Sequence, residues 1–521
     1  MQLFNLVWSK VVKLCFFLIV IFLAACSPSS DSNSDTSKDS SSTDDQKTSI
    51  APILQTPDHV TSDKGISFVV KNAESRALLE DVTVKVSNAC VGSSCSSPRS
   101  IYGKSDDSGL FTNSLTASLF PVNGNEAIKI EVIKTGYVTL VKYVKPRYDA
   151  DGKLYLGDVY LCAKSSTDSD NDTMCDAAEE VHQTSAYNDD SDGDGLSDTA
   201  ELHGVSGIDL PSYGANPLRK NIFLELDAHV QRVHSSSDID MLVRAFADAP
   251  IKNLDGSTGV SLYVDHTERL PSSVVDLADL ENDYIESSSK FWDHFDEKIK
   301  SKHFNVRRQG IFHYGVTLPS LPKRTFGGLS RGIVADDFVS NNVNIATVMH
   351  ELGHNLGLTH GGGYGNRNYA PNYFSVMNYL YPYGYLTSKS SKAVMDFSRV
   401  RVDGFNESSF DEVSGFDSQD NGGELELSLY KVKTKTKGIV ANSASDNIDA
   451  NKDGKLERNA SIDVDGVSST NKWSQTQNDW ESLRYRGGRF SGDSYLSQAY
   501  KSFSDESHAS MVHGDEPCPA E

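Results

Sequence analysis

His350-Glu351-Leu352-Gly353-His354-Asn355-Leu356-Gly357-Leu358-Thr359-His360 places three histidines and a glutamate within eleven residues. Around it, Val343, Ile345, Val348, Met349, Leu352 and Leu356 recur at helical spacing between Asn341 and Leu358, with Asn341 or Asn342 as the expected N-cap. His350 and His354 lie four apart, so they share one helix face and can set two imidazole nitrogens ~2.0–2.1 Å from one Zn²⁺. Glu351 follows the first histidine and is placed for a water on the metal rather than for the metal itself. Gly357 permits a turn that continued helix would not, which brings His360 round as a third ligand. Three neutral imidazoles leave a fourth position open to water, as in catalytic rather than closed structural zinc sites.

Ser375-Val376-Met377-Asn378-Tyr379 follows the third histidine. Together the two motifs resemble the metzincin zinc peptidases, with their extended histidine signature and Met-turn. The resemblance implies that Met377 forms an apolar floor under the zinc without binding it. Tyr379 matches the tyrosine that binds zinc or stabilises the oxyanion in astacin-like, serralysin-like and pappalysin-like members. It also implies a protein or peptide substrate, with Glu351 as general base and Tyr379 as a second catalytic residue. Asn221 to Asp227, Val260 to Val264 and Ile311 to Val316 read as strands, with a helix from Asp238 to Ala249. That order fits the metzincin upper subdomain, a twisted sheet with an edge strand beside the cleft and the active-site helix beneath. The resemblance spans about Pro217 to Asp403. Gly361 to Gly363 lack the acid or serine that marks several branches, so a pappalysin-like or related bacterial branch is expected. Asn406-Glu407-x-x-x-Asp411 faintly echoes the zinc class with a glutamate as third ligand, a place His360 already fills.

Upstream, the chain repeats itself at a period of 22 residues. Asp168, Asp170, Asp172, Asp176 and Glu179 correspond to Asp190, Asp192, Asp194, Asp198 and Glu201, at loop positions 1, 3, 5, 9 and 12. Oxygen ligands at such positions suit a hard cation, and glycine at position 6 allows the sharp turn. Gly195 stands there in the second copy and Thr173 in the first. The loops resemble thrombospondin type 3 calcium repeats, which implies Ca²⁺ as a second metal. A third loop is expected at Asp449-x-Asn451-x-Asp453-Gly454-x-x-Glu457, although its position 12 is Ala460.

Acidic residues outnumber basic ones by 23, which argues against a phosphate-backbone partner, so nucleic acid is excluded. Twelve carboxylates fall between Asp168 and Glu201. Near the start, Lys10 and Lys13 precede an apolar run from Leu14 to Ala25 of signal-peptide length, ending Leu23-Ala24-Ala25-Cys26. That ending resembles a bacterial lipobox. It implies lipidation of Cys26, attachment to a membrane through that lipid, and, with Ser27 next, an outer-membrane lipoprotein facing the periplasm or the surface. Export permits disulfides, for which Cys90 with Cys95 and Cys162 with Cys175 are the expected pairs, leaving Cys518 over.

The expected architecture is multidomain. It comprises a signal peptide (1–25), a Ser/Asp-rich tether (26–50), an all-β sandwich (51–164) and calcium-binding loops (165–210). An α/β (α+β) metzincin catalytic domain (211–427) follows, then a C-terminal region (428–521) without a functional reading. The sandwich rests on the alternating runs Ile66 to Val70, Val82 to Val86 and Ile128 to Val132. The function implied is a lipid-anchored zinc endopeptidase. The alternative is a calcium-dependent surface adhesin or matrix-binding lipoprotein with a vestigial zinc domain.

Overall fold

The structure, a computed structural model, describes residues 65–89, 99–120, 127–273, 288–319, 327–341, 344–363, 368–381, 386–388, 393–467 and 471–485, with Leu280, Asn282 and Ser390. The apolar run, Cys26, Cys90, Cys95 and Cys518 lie outside them. Among the described residues, no helix is long and apolar enough to cross a membrane.

The chain folds as a mixed α/β structure with several sheets. At its N-terminal end are β1 (Gly65–Asn72), β2 (Thr83–Asn88), β3 (Ser100–Lys104), β4 (Leu110–Asn113), β5 (Ile128–Ile133), β6 (Leu140–Val144) and β7 (Lys153–Leu161). They form a three-stranded sheet, β4-β1-β7, and a four-stranded sheet, β3-β2-β5-β6. Alternation decides what each buries. Ile66, Phe68 and Val70 of the first sheet share one core with Val84, Val86, Ile130 and Val132 of the second. The pairing of β1 with β7 is parallel, and all the others are antiparallel.

A disulfide between Cys162 and Cys175 closes the first acidic loop into a ring between β7 and helix α1 (Asp176–His182). Helix α2 (Asp198–His203) stands in the same place after the second loop, capped by Ser197, whose hydroxyl accepts from the Ala200 N–H.

Beyond the loops are β8 (Asn221–His229), β9 (Ser261–Asp265), β10 (Arg269–Leu270), β11 (Phe312–Thr317), β12 (Gly328–Ser330) and β13 (Asp337–Ser340). They build one sheet in which β9 and β10 share an edge of β8, followed by β11, β13 and β12. Every residue of β8 and β11 is buried, as expected of parallel strands covered on both faces. Only β12, the edge strand, runs antiparallel to its neighbour. Helices α3 (Ser236–Ala247) and α4 (Ile345–Asn355) pack on this sheet. Ser235 caps α3 in a reciprocal capping box with Asp238.

One hydrophobic core joins Ile222 and Leu224 of β8 to Met349 and Leu352 of α4, and on to Val432, Trp473, Trp480 and Leu483. It runs across residues 427 and 428 without a break, so the segment that had no sequence reading is part of the body that carries the histidines. Trp480 is wedged edge-on against Phe246 of α3 and Phe397, with ring centroids 5.2 and 5.0 Å away.

Candidate metal centre

Helix α4 begins later than the apolar spacing suggests. Its cap is Asn344, whose side-chain oxygen accepts from the Ala346 N–H at 3.0 Å, rather than Asn341; Asn342 lies outside the described residues. The helix ends at Asn355, and two residues on Gly357 adopts a φ of +94°, a conformation that residues other than glycine rarely take. That turn carries the chain back so that the ring nitrogens of His350, His354 and His360 all lie within 4.8 Å of one another.

The hydrogen bonds fix which nitrogens face the shared point. His350 Nδ1 lies 2.9 Å from the Val376 carbonyl oxygen, and His354 Nδ1 lies 2.8 Å from that of Leu358. A carbonyl only accepts, so both Nδ1 atoms carry the proton and both Nε2 atoms present a lone pair. His354 Nε2 is 2.9 Å from His360 Nε2. Burial pushes His350 down to about 4 and His354 to about 3, with His350 beside it adding to the latter, and burial also holds His360 well below its ordinary range. Three neutral imidazoles with converging lone pairs fit a borderline-soft divalent cation such as zinc.

The other residues picked out by sequence surround this point. Glu351 is fully buried and lies against the edge strand, where a Cβ on Gly328 would be 2.3 Å from its Oε1. Met377 is fully buried beneath α4. The Tyr379 ring lies 4.1 Å from the His360 ring, centroid to centroid, and nearly parallel to that of His350 at 6.0 Å.

What holds the Met-turn was not visible in the sequence. Asp479, fully buried, accepts from Tyr373 Oη at 2.8 Å, Ser375 Oγ at 2.6 Å and the Ser398 N–H at 3.0 Å. Burial raises its carboxyl to about 6 against those donors. Asp396 accepts from the Trp480 indole at 2.9 Å through its side chain, and its own carbonyl accepts from the Val376 N–H at 2.8 Å. Val376 thereby gives its carbonyl to His350 while its N–H is tied to a residue anchored by Trp480. No local pattern marks the bonds that tie this region together, since Asp396 meets Trp480 and Asp479 meets Ser375 across 84 and 104 residues of sequence, although Arg399 and Gln477 pair with the same two acids locally.

The acidic loops form two further clusters, Asp168, Asp170 and Asp172, and Asp190, Asp192 and Asp194. In the second, Asp190 accepts from the N–H groups of Gly193, Asp194 and Gly195. Thr173 takes a φ of +81° where Gly195 has +90°, so the first loop keeps the turn without the glycine. Asp176 and Asp198 accept from the backbone and hydroxyl of Ser169 and Ser191 rather than joining the clusters. Glu179 and Glu201 are buried, and among the described residues both oxygens of Glu179 and Oε2 of Glu201 have no hydrogen-bond partner. Burial first, then neighbouring carboxylates, raises Glu179 to about 8. Asp192, Asp194 and Glu201 are raised as well, burial again being the first cause. Buried acids crowded with unused oxygens suit a hard cation that would stabilise their ionised form.

At the third loop, the turn recurs with Lys452 and Gly454 at positive φ, and Asp449 and Asn451 accept from Asp453 and Gly454 as in the second loop. Its Ala460 is fully buried and paired with Phe410, so position 12 offers no ligand.

No family model matches the chain, and no curated protein matches it. Among solved structures, metalloproteinase-II from Bacteroides fragilis aligns over 57% of this chain and 76% of its own, at 12% identity and a TM-score of 0.18. A 9R-lipoxygenase from Cyanothece PCC8801 aligns over 22% of this chain at 12% identity and a TM-score of 0.15, and the chain spans only 19% of that enzyme's length. TM-scores of this size assign neither fold nor function.

Proposed function

We propose that the protein is a zinc-dependent endopeptidase of the metzincin kind. The observation that carries this reading is the pair of Nδ1–H bonds to the Val376 and Leu358 carbonyls, which turn two lone pairs toward His360. Zinc held by His350, His354 and His360 supplies Lewis acidity, which makes water a stronger acid and polarises a carbonyl. Glu351 accepts the proton from the attacking water and passes it to the leaving amine. The Tyr379 hydroxyl donates to the oxyanion as it develops. Asp396 and Asp479 hold the Met-turn, and through the Val376 carbonyl they fix the tautomer and orientation of His350.

The two acidic loops are proposed to bind Ca²⁺, a reading supported by the unpartnered buried oxygens of Glu179 and Glu201. Anchoring to a bacterial membrane through lipid on Cys26 is proposed from the lipobox-like residues alone.

The test is hydrolysis of a mixed-peptide library by the purified protein, with metal content measured in parallel. The wild type is expected to hold one zinc, to cleave, and to lose both on chelation. Glu351→Ala is expected to keep the zinc and lose cleavage. A zinc-loaded wild type that cleaves nothing, or a Glu351→Ala protein with normal turnover, would overturn the reading.

A further inference from the structure

Lys431-Val432-Lys433-Thr434-Lys435-Thr436-Lys437 carries four lysines and no acid, in a chain whose net charge is −23. The segment supplies the first strand and the turn of the hairpin formed by Val432–Thr434 and Gly438–Ala441. Strand alternation turns Val432 and Thr434 into the core and sets the lysines on the other face. Lys433 is half-buried, and Lys435 and Lys437 are exposed. Among the described residues none of these three pairs with a carboxylate. Burial alone pushes the Lys433 amine below its ordinary value.

Two of the ammonium groups lie over aromatic rings, one of which, Tyr369, leads to the histidines. Lys433 Nζ is 5.7 Å from the centre of the Tyr381 ring, and Lys435 Nζ is 4.2 Å from that of Tyr369. Tyr369 lies 6.0 Å from Tyr379, which lies 4.1 Å from His360. An extended peptide rises ~3.4 Å per residue, so one bound at the histidines reaches Lys435 within about four residues. Tyr369 holds a φ of +69°, a strained conformation for a bulky residue of the kind that clusters at functional sites. A ring face holds an ammonium while leaving its N–H donors free for an incoming carboxylate. Lysines also blunt exposed strand edges against pairing with other chains. That role suits Lys437 in solvent and does not account for two neighbouring ammonium groups laid over tyrosines, one of which leads to the histidines.

We propose that Lys433 and Lys435 form a subsite selecting peptides with Asp or Glu within about four residues of the scissile bond. This rests on the peptidase reading.

The experiment uses the zinc-loaded full chain and peptide sets that differ only in Asp or Glu against Asn or Gln at one position. The wild type is expected to prefer the acidic member about tenfold in kcat/KM at low salt, less at high salt. Lys433→Gln combined with Lys435→Gln removes the preference and leaves cleavage of the neutral member unchanged, and Lys435→Glu reverses it. Equal cleavage of both members by the wild type overturns the proposal. So does a preference that survives the double substitution, including a case in which the variant only aggregates more. If the wild type cleaves no peptide, the peptidase reading fails separately. Fluorescence anisotropy of the same peptides with Glu351→Gln protein then decides the subsite, with about tenfold tighter binding of the acidic member expected and equal binding overturning it.

Discussion

Met377 and Gly353 are packed so closely that a Cβ on the glycine would lie 2.5 Å from the methionine sulfur and 2.9 Å from the Phe397 ring. Gly353 sits inside α4, where alanine would normally gain ~1 kcal/mol. Overpacking a closed core costs ~1–3 kcal/mol, and although methionine is adaptable, Met377 and Phe397 are both buried and neither can swing out into solvent. Gly353→Ala is therefore expected to destabilise by about 1 kcal/mol net, measurable by urea unfolding. Displacing Met377 also shifts Val376 next to it, so zinc retained after dialysis should fall in the same variant.

Tyr379→Phe separates packing from chemistry. The ring contact with His360 survives the change, and only the hydroxyl is lost. Zinc stoichiometry should stay at the wild-type value while kcat falls about 100- to 1,000-fold, the range for removing one oxyanion donor. Unchanged turnover would show that the tyrosine only packs.

Trp480→Ala removes a fully buried indole that touches Phe246 and Phe397 and donates to Asp396. Such truncations cost ~3–5 kcal/mol. Because the Asp396 carbonyl binds the Val376 N–H, weaker zinc binding should accompany the lower stability. Trp480→Phe keeps most of the packing and should recover most of both. A variant with normal zinc affinity and reduced stability would confine Trp480 to the core.

Legibility in the sequence follows the range of the interactions. The histidines, Gly357 and the acidic loops obey local spacing rules, and α3 and the strands β8, β9 and β11 follow periodicity, so their neighbourhoods in space could be read from neighbourhoods in the chain. The cap of α4 was misplaced by two or three residues because Asn341, Asn342 and Asn344 offer the same chemistry, and only tertiary packing chooses among them. Asp396, Asp479 and Trp480 act across separations that no pattern encodes. The lysine segment is plain in the sequence, but its relation to Tyr369 and Tyr381 exists only once the hairpin is placed. The parallel pairing of β1 with β7 is illegible for the same reason.

The proposed calcium binding predicts a pH dependence of definite sign. A glutamate in an unfolded chain titrates near ~4.3, whereas Glu179 is raised to about 8 by burial and by Asp170 and Asp172. Between those values the folded calcium-free protein binds more protons than the unfolded one, so its stability falls as pH rises through that window. Calcium bound to the ionised carboxylates would remove their mutual repulsion, so on this proposal its stabilising effect grows over the same range. The rise in Tm on adding CaCl₂, read by calorimetry at fixed zinc, is expected to be larger at pH 8 than at pH 5. Glu179→Gln takes away the charge that the calcium-free fold disfavours, so it should raise stability without calcium and reduce the response to it. The second loop extends the effect toward the metal centre: Asp194 accepts from the N–H of Asn221, the first residue of β8, at 2.7 Å, and Lys220 reaches both the Asp192 carbonyl and the Tyr485 ring. Arg484, next to Tyr485, donates its N–H to the Leu356 carbonyl at 2.8 Å, at the turn that carries His360. Glu201→Gln should therefore alter zinc affinity as well as Tm, whereas Glu179→Gln in the first loop should alter Tm alone. A calcium response of equal size at both pH values would remove calcium from the account of these loops.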